Sequence, residues 1–290
     1  MKVTRRAERS AGVGRGSWLT RRSFFRGLAG AGLGVATGAI VHGSLYERHH
    51  LELTRASFPI SGLPEPLRGL RVGLITDLHR SQTVSHDHIV AAVNLLMAEQ
   101  PDLIILGGDY VTWGDRHYVQ PAADSLAGLA APLGVIAILG NHDDDRDMPA
   151  ALAAKGFMVL RDAHTRLSVR GESMDFIGIR YWTRRVTDIA RLARGTVPHT
   201  ILLAHTPKRL IEAQQLAIPA VLSGHTHGGQ IVLPGIGAIA AREFPVIAGF
   251  ERRDSTSIFV SRGVGTVYVP VRINCPPEVA VLTLGTPAAP

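Results

Sequence analysis

From residue 68 onward, the chain moves between two hydrophobic rhythms. Short apolar runs at residues 71–76, 103–106 and 134–139 have the length of buried strands. Between the first two, residues 86–100 place Ile89, Val93, Leu96 and Met97 at helical spacing, with Pro101 as a stop. Residues 122–129 read as a second helix. This strand–helix–strand–helix–strand order predicts a parallel sheet with crossover helices. Residues 148–155 read as a further helix and 156–159 as an edge strand. From Leu167 the texture shifts to strands joined by turns, at 167–169, 175–179, 200–203, 220–222, 230–233, 257–261 and 279–284, with helices chiefly at 186–193 and 207–215. The pattern is that of an α/β chain: two mixed β-sheets packed as a sandwich with flanking helices. One domain, residues 68–287, is the simplest division, and residues 44–67, with Pro59, Gly62, Pro64 and Pro66, read as a linker and entry segment.

The N-terminus differs. Thr20-Arg21-Arg22-Ser23-Phe24-Phe25-Arg26 has a small hydroxyl residue, two arginines, a variable residue, two large apolar residues and a basic one. This resembles a twin-arginine export signal, a receptor-read address for folded cargo, which implies the twin-arginine translocase as a partner. The 15 residues from Gly27 to Val41 are apolar, short for a membrane-spanning helix and right for a signal core. Small-x-small cleavage sites near residue 41 are poor, so residues 1–43 read as a signal peptide or an uncleaved N-terminal anchor. The expected location is the periplasm or cell envelope, with membrane association possible.

Charge changes little beyond that. The formal charge of +7 resembles a nucleic-acid binder's. Residues 1–26, however, hold eight basic residues against Glu8 alone, leaving 23 basic and 23 acidic residues in the remainder. A polyanion-binding body is not supported, and no nucleic-acid partner is expected. Cys275 is the only cysteine, which rules out an intrachain disulfide and a thiolate-rich zinc site.

The candidate chemistry lies where apolar runs stop. Asp77-Leu78-His79, Gly108-Asp109, Gly140-Asn141-His142, Ala204-His205 and Gly224-His225-Thr226-His227 each follow a β-type run, where an open α/β sheet places its ligands. Asp77 and His79, two residues apart in extended chain, can point the same way and chelate one ion, and His225 and His227 share that spacing. Aspartate oxygen, imidazole and an amide oxygen suit Zn²⁺, Mn²⁺ or Fe²⁺ without thiolate. Seven donors at one edge are enough for two divalent metal ions, and two such ions imply hydrolysis of a phosphate ester. Arg80 and Arg180 are candidate phosphate contacts. Asp143 is a candidate partner orienting His142. Trp113, Tyr181 and Trp182 are candidates for a substrate wall, with core packing the stronger reading.

The ordered set Asp-x-His, Gly-Asp, Gly-Asn-His-Asp, His, Gly-His-x-His resembles the calcineurin-type metallophosphoesterase superfamily, over about residues 68–287. The run Gly224-His225-Thr226-His227-Gly228-Gly229-Gln230 with the Asp77-Leu78-His79 opening is similar to its bacterial exported or membrane-associated phosphodiesterase branch. That branch includes enzymes similar to UDP-2,3-diacylglucosamine pyrophosphatases. The resemblance implies the four-layer fold of that superfamily. It implies Asp77, His79 and His227 on one metal, Asn141, His205 and His225 on the other, and Asp109 bridging both. It implies His142 as a catalytic residue that protonates the leaving oxygen or stabilises transition-state charge, with a metal-bridging hydroxide as nucleophile. The expected function is a dinuclear metal-dependent phosphoesterase, foremost a phosphodiesterase, hydrolysing a phosphate diester or pyrophosphate, with a lipid-linked ester among the expected substrates. One alternative is pyrophosphate cleavage in a UDP-linked acylated sugar during lipid A assembly. Another, outside enzymology, is a metal-binding envelope protein on the same scaffold.

Overall fold

The structure is a computed structural model and describes residues 21–287. The chain divides into two units, Met1–Ile40 and Val41–Pro290. Most of the cationic leader, residues 1–20, lies outside the described residues. Helix α1 (Arg21–Leu45) has exposed apolar side chains, including Phe24, Phe25, Leu28 and Leu33. With the following 3₁₀ turn, it is long and apolar enough to cross a membrane, by length and composition. At ~1.5 Å per residue the whole helix is longer than the roughly 30 Å of a hydrocarbon core, and a signal sequence near the N-terminus meets the same test. No charge or proline intervenes between Gly27 and Leu45, and the helix therefore runs on past Val41.

In the second unit the elements follow in the order β1 (Glu52–Pro59), β2 (Arg71–Ile75), α2 (His86–Met97), β3 (Leu103–Leu106), α3 (Val119–Ser125), β4 (Val135–Ala137), α4 (Asp147–Ala153) and β5 (Met158–Val159). Then come β6 (Ala163–Val169), β7 (Glu172–Gly178), α5 (Val186–Leu192), β8 (Ile201–Leu203), α6 (Leu210–Gln215) and β9 (Ala220–Ser223). Last are β10 (Val232–Leu233), β11 (Gly237–Ala238), β12 (Gly249–Arg253), β13 (Thr256–Val260) and β14 (Glu278–Gly285). One six-stranded sheet has the order β1-β14-β2-β3-β4-β5, the other β12-β13-β9-β8-β7-β6, and β10 and β11 form a separate hairpin.

Side-chain alternation explains the layers. On β2, β3, β8 and β9, Leu74, Ile105, Leu203 and Leu222 point between the sheets into one core. Their neighbours point outward: Ile104 and Leu106 pack under α2, α3 and α4 with Ile89, Val93 and Leu96, and Leu202 and Val221 pack under α5 and α6 with Ile189 and Leu210. Strands covered on both faces read as unbroken apolar runs, the signal seen in the sequence. The segment read as a linker instead carries β1, paired in parallel with β14 from Glu52↔Glu278 to Pro59↔Gly285. β1 is an edge strand with only Phe58 buried, and its Arg55 faces solvent, so it lacks the apolar run that marks its neighbours. Strands β2, β3 and β4 are mutually parallel, as are β7, β8, β9 and β13. Their C-terminal ends carry the candidate loops.

Candidate metal centre

The loops after β2 and β3 continue side by side beyond the sheet. Asp77 N–H donates to Gly108 O at 2.9 Å, His79 N–H to Asp109 O at 3.0 Å and Arg80 N–H to Tyr110 O at 2.8 Å. Asp77, His79 and Asp109 all adopt positive φ, as do His225 and His227. Left-handed backbone is uncommon outside glycine, and here it turns five donors out of their strands. The neighbouring glycines have a steric reason. A Cβ on Gly140 would lie 2.0 Å from Asp109 Oδ1, and one on Gly224 would lie 2.2 Å from Asp77 Oδ2.

Two donor groups result: Asp77, His79 and His227, and Asp109, His205 and His225, with the donor atoms of each group within 4.8 Å of one another. In the first, the Nε2 atoms of His79 and His227 approach to 3.1 Å, with Asp77 Oδ1 3.4 Å from His227 Nε2. Asp109 Oδ2 sits between the groups, 3.1 Å from His205 Nε2 and 3.5 Å from His79 Nε2. Its Oδ1 accepts from His142 N–H at 2.8 Å. The Nδ1 of His205 meets Gly107 O at 2.8 Å, which leaves Nε2 for the centre. Asn141 Oδ1 is buried without a hydrogen-bond partner and its residue lines the same cavity. Facing imidazole nitrogens, a carboxylate between two groups and an orphaned amide oxygen together fit a pair of divalent cations.

The electrostatics agree. Burial pushes His79 and His225 down to about 4 and about 3, and His227 well below the usual range. These imidazoles are neutral, the form that ligates metal. Burial also works against charge on His205, but the Asp109 and Asp77 carboxylates outweigh it and push His205 up to about 10. Burial raises Asp77 to about 6, with His205 opposing and Asp109 adding. Asp109 is held well below the usual carboxylate range: burial alone would raise it, and the neighbouring His205 overcomes that. Cations would compete with the His205 proton for the same lone pair.

His142 is placed separately. Trp113 N–H donates to its Nδ1 at 3.1 Å, so the neutral ring carries its proton on Nε2. Burial lowers its pKa, which favours that neutral form. Asp143 does not orient it. The Asp143 carboxylate accepts from the N–H groups of Asp109, Tyr110 and Gly140 at 2.7–2.8 Å and clamps the two loops together. Arg80 and Arg180 are not brought to the centre. The Arg80 guanidinium donates to Val84 O at 2.8 Å and to Ser81 O, and lies over Tyr118. Arg180 faces Asp162 at 3.6 Å. Neither lines the cavity beside the centre, because adjacency in sequence to a ligand or to a strand end does not set side-chain direction.

Three features differ from the stronger reading of the sequence or escape it. Tyr181 packs against His225 at 5.3 Å between ring centroids, and Trp113, 68% exposed, lies 4.5 Å from His142, so neither is core. Arg272 is fully buried, and its guanidinium donates to the carbonyls of Arg262, Gly263, Gly265 and Cys275 at 2.6–3.1 Å. This cation braces the Gly263–Gly265 turn, where a Cβ on Gly263 would lie 2.5 Å from Asp77 Cβ. Gln230, which ends the longest motif, ties down a second loop. Its amide donates to Val267 O and Val269 O and accepts from Val267 N–H at 2.9–3.1 Å. No spacing rule marks these residues.

Residues 70–229 match the model of the calcineurin-like phosphoesterase family. The chain is 30% identical over 284 residues to the metallophosphoesterase YkuE of Bacillus subtilis (strain 168), covering 92% of this chain and 98% of that one. It is 29% identical over 222 residues to phosphodiesterase YaeI of Escherichia coli (strain K12), covering 74% and 82%. It is 28% identical over 273 residues to a transmembrane protein with metallophosphoesterase domain of Bos taurus, covering 86% of this chain and 61% of that relative. Family match, ordered motifs and converging donors agree: the chain belongs to the calcineurin-like phosphoesterase family and is a metallophosphoesterase, a hydrolase acting on phosphoester bonds.

Proposed function

We propose that the protein is a dinuclear metal-dependent phosphodiesterase. The observation that carries this is Asp109 Oδ2 standing between two groups of histidine and carboxylate donors, with His142 beside them. Asp77, His79 and His227 would hold one cation, and Asn141, His205 and His225 the other, with Asp109 shared. Bound there, the pair supplies Lewis acidity and an activated water at neutral pH. The chain's own residues do the rest. The His142 Nε2–H donates toward the departing ester oxygen, held in that tautomer by Trp113 N–H. Asp143 and Arg272 keep the Asp109 and Asp77 loops in place.

A diester is favoured over a monoester on charge. Among the described residues lining the cavity there is no lysine or arginine, and a monoester dianion carries one more negative charge than a diester to be compensated. The same lack disfavours the UDP-linked sugar, whose second phosphate would go unpaired. The relation to phosphodiesterase YaeI supports the reading. Helix α1 and the twin-arginine motif support placement outside the cytoplasm or at its membrane, as signal or anchor. The test is hydrolysis of bis-p-nitrophenyl phosphate against p-nitrophenyl phosphate with Mn²⁺, alongside metal content by elemental analysis. Turnover of the diester by protein holding two metals, abolished by chelation, is the expected result. Preference for the monoester, or one metal per chain, would reject it.

A further inference from the structure

The cavity at the metal centre has about 520 Å³ of space, against the roughly 30 Å³ share of one water molecule. A phosphoryl group fills a small part of it. One wall is the centre itself, with Asp109, Asn141, His142, His225 and His227. The apolar part of the lining comes from the β10–β11 hairpin and the loops that follow: Leu233, Ile239, Phe244, Val267 and Val269. Among the described lining residues apart from the centre, Glu243 alone is charged and is engaged by Lys208 at 3.0 Å; of the polar ones, Thr226 and Gln230 are spent on backbone carbonyls and Tyr268 stands at the rim, 77% exposed. Ile239 and Val269 are exposed there, at 54% and 47%.

This wall is built and held. Gln230 fixes the Val267–Val269 loop through three hydrogen bonds. Val232 N–H donates to Ile273 O and Asn274 donates to Val232 O, which pins the hairpin from behind. A Cβ on Gly229 would lie 2.2 Å from Ala238 Cβ, so the hairpin sits directly on the His227–Gly229 turn. The donors and the apolar wall are therefore parts of one pocket. An occupant bound to the donors by its phosphate must lay its remaining substituent on the rest of the lining.

We propose that this wall receives an alkyl or acyl chain esterified to the substrate phosphate, so that the preferred substrate is an amphiphilic phosphodiester. The inference rests on the phosphodiesterase reading and adds to it the chemistry of the second ester group. A nucleoside substituent laid on Leu233, Ile239, Val267 and Val269 would leave most of its hydroxyls and ring nitrogens facing carbon, whereas a hydrocarbon chain loses only water.

Methyl and octyl p-nitrophenyl phosphate, each below its micellar concentration, separate the possibilities on the Mn²⁺-loaded full chain. In both, water adds to phosphorus, the P–O bond to the nitrophenyl group breaks, and p-nitrophenolate leaves with the methyl or octyl phosphate as second product. Full burial contributes about fourfold per methylene, and half of that gain over seven methylenes predicts kcat/KM about 100-fold higher for the octyl ester. Leu233→Asn and Ile239→Asn each lower the octyl-to-methyl ratio about tenfold. Ile211→Asn, exposed on α6 and outside the cavity, leaves the ratio unchanged. Equal kcat/KM for the two esters overturns this inference alone, as does an octyl preference that survives both cavity variants or falls equally in the Ile211 variant. Hydrolysis of neither ester defeats the phosphodiesterase reading and this inference with it.

Discussion

The two donor groups are chemically alike and differently placed. Asp77, His79 and His227 are all buried, and of these His227 alone reaches the cavity surface; in the other group His205 does not reach it. Asp109 and His225 do reach it, and His225 is only part-buried, between Tyr181 and Phe244. The deeper group is braced from behind by Arg272 and the Gly263–Gly265 turn, while the outer group faces arriving substrate. Like ligand chemistry at two depths would give a cation in the first group a structural neighbourhood and one in the second a reactive one.

The residue that belongs to both groups is the strongest test of that contrast. Asp109→Ala should lower kcat/KM by about 10⁴-fold, several kcal/mol of lost metal-assisted stabilisation, and elemental analysis should find at most one metal per chain. His142→Ala should lower kcat by about 10²- to 10³-fold while two metals stay bound. Metal loss in that variant would show that His142 is a ligand and not a proton donor. Arg272→Met removes the brace and its hydrogen bonds to four backbone carbonyls, of which Gly263 O keeps the Glu278 N–H. Titration should show metal affinity weakened about 10- to 100-fold, with the deeper site losing more, and Arg272→Lys should recover only part. Equal weakening of both sites would erase the difference in depth. The smallest effect is that of pH. In the protein alone His205 holds its proton up to about pH 10, and ligation requires that proton to leave. Between pH 7 and 8 the apparent affinity at the outer site should therefore rise by up to about tenfold. Below about pH 6, protonation of Asp77 should weaken the deeper site as well. Calorimetry in buffers of different ionisation enthalpy measures the protons released, and no release at pH 8 would count against the assignment.

The sequence showed the donors because each of the five motifs ends an apolar run, and strand ends at one sheet edge converge. The layered sheets were legible for the same reason: strands covered on both faces cannot be anything but apolar. What holds the donors in place was not legible. Asp143 lies in a run of acids that reads as solvated loop, yet its carboxylate is spent on backbone N–H groups. Arg272 looks like any surface arginine until the carbonyls around it are seen. The misplacement of Arg80 and Arg180 has the reverse cause, since their neighbourhood in sequence is catalytic and their side chains turn elsewhere. The linker reading of β1 failed because a half-wet edge strand carries little hydrophobic signal.

The left-handed residues at the centre carry a further consequence. Asp77, His79, Asp109, His225 and His227 each occupy a conformation that side chains other than glycine's usually avoid, at a cost of order 1–3 kcal/mol apiece. Grafting the same seven donors onto another sheet would reproduce the ligands without the twist that aims them. The unit that transfers between proteins is the contorted main chain with its abutting glycines, and the donors travel only as its passengers.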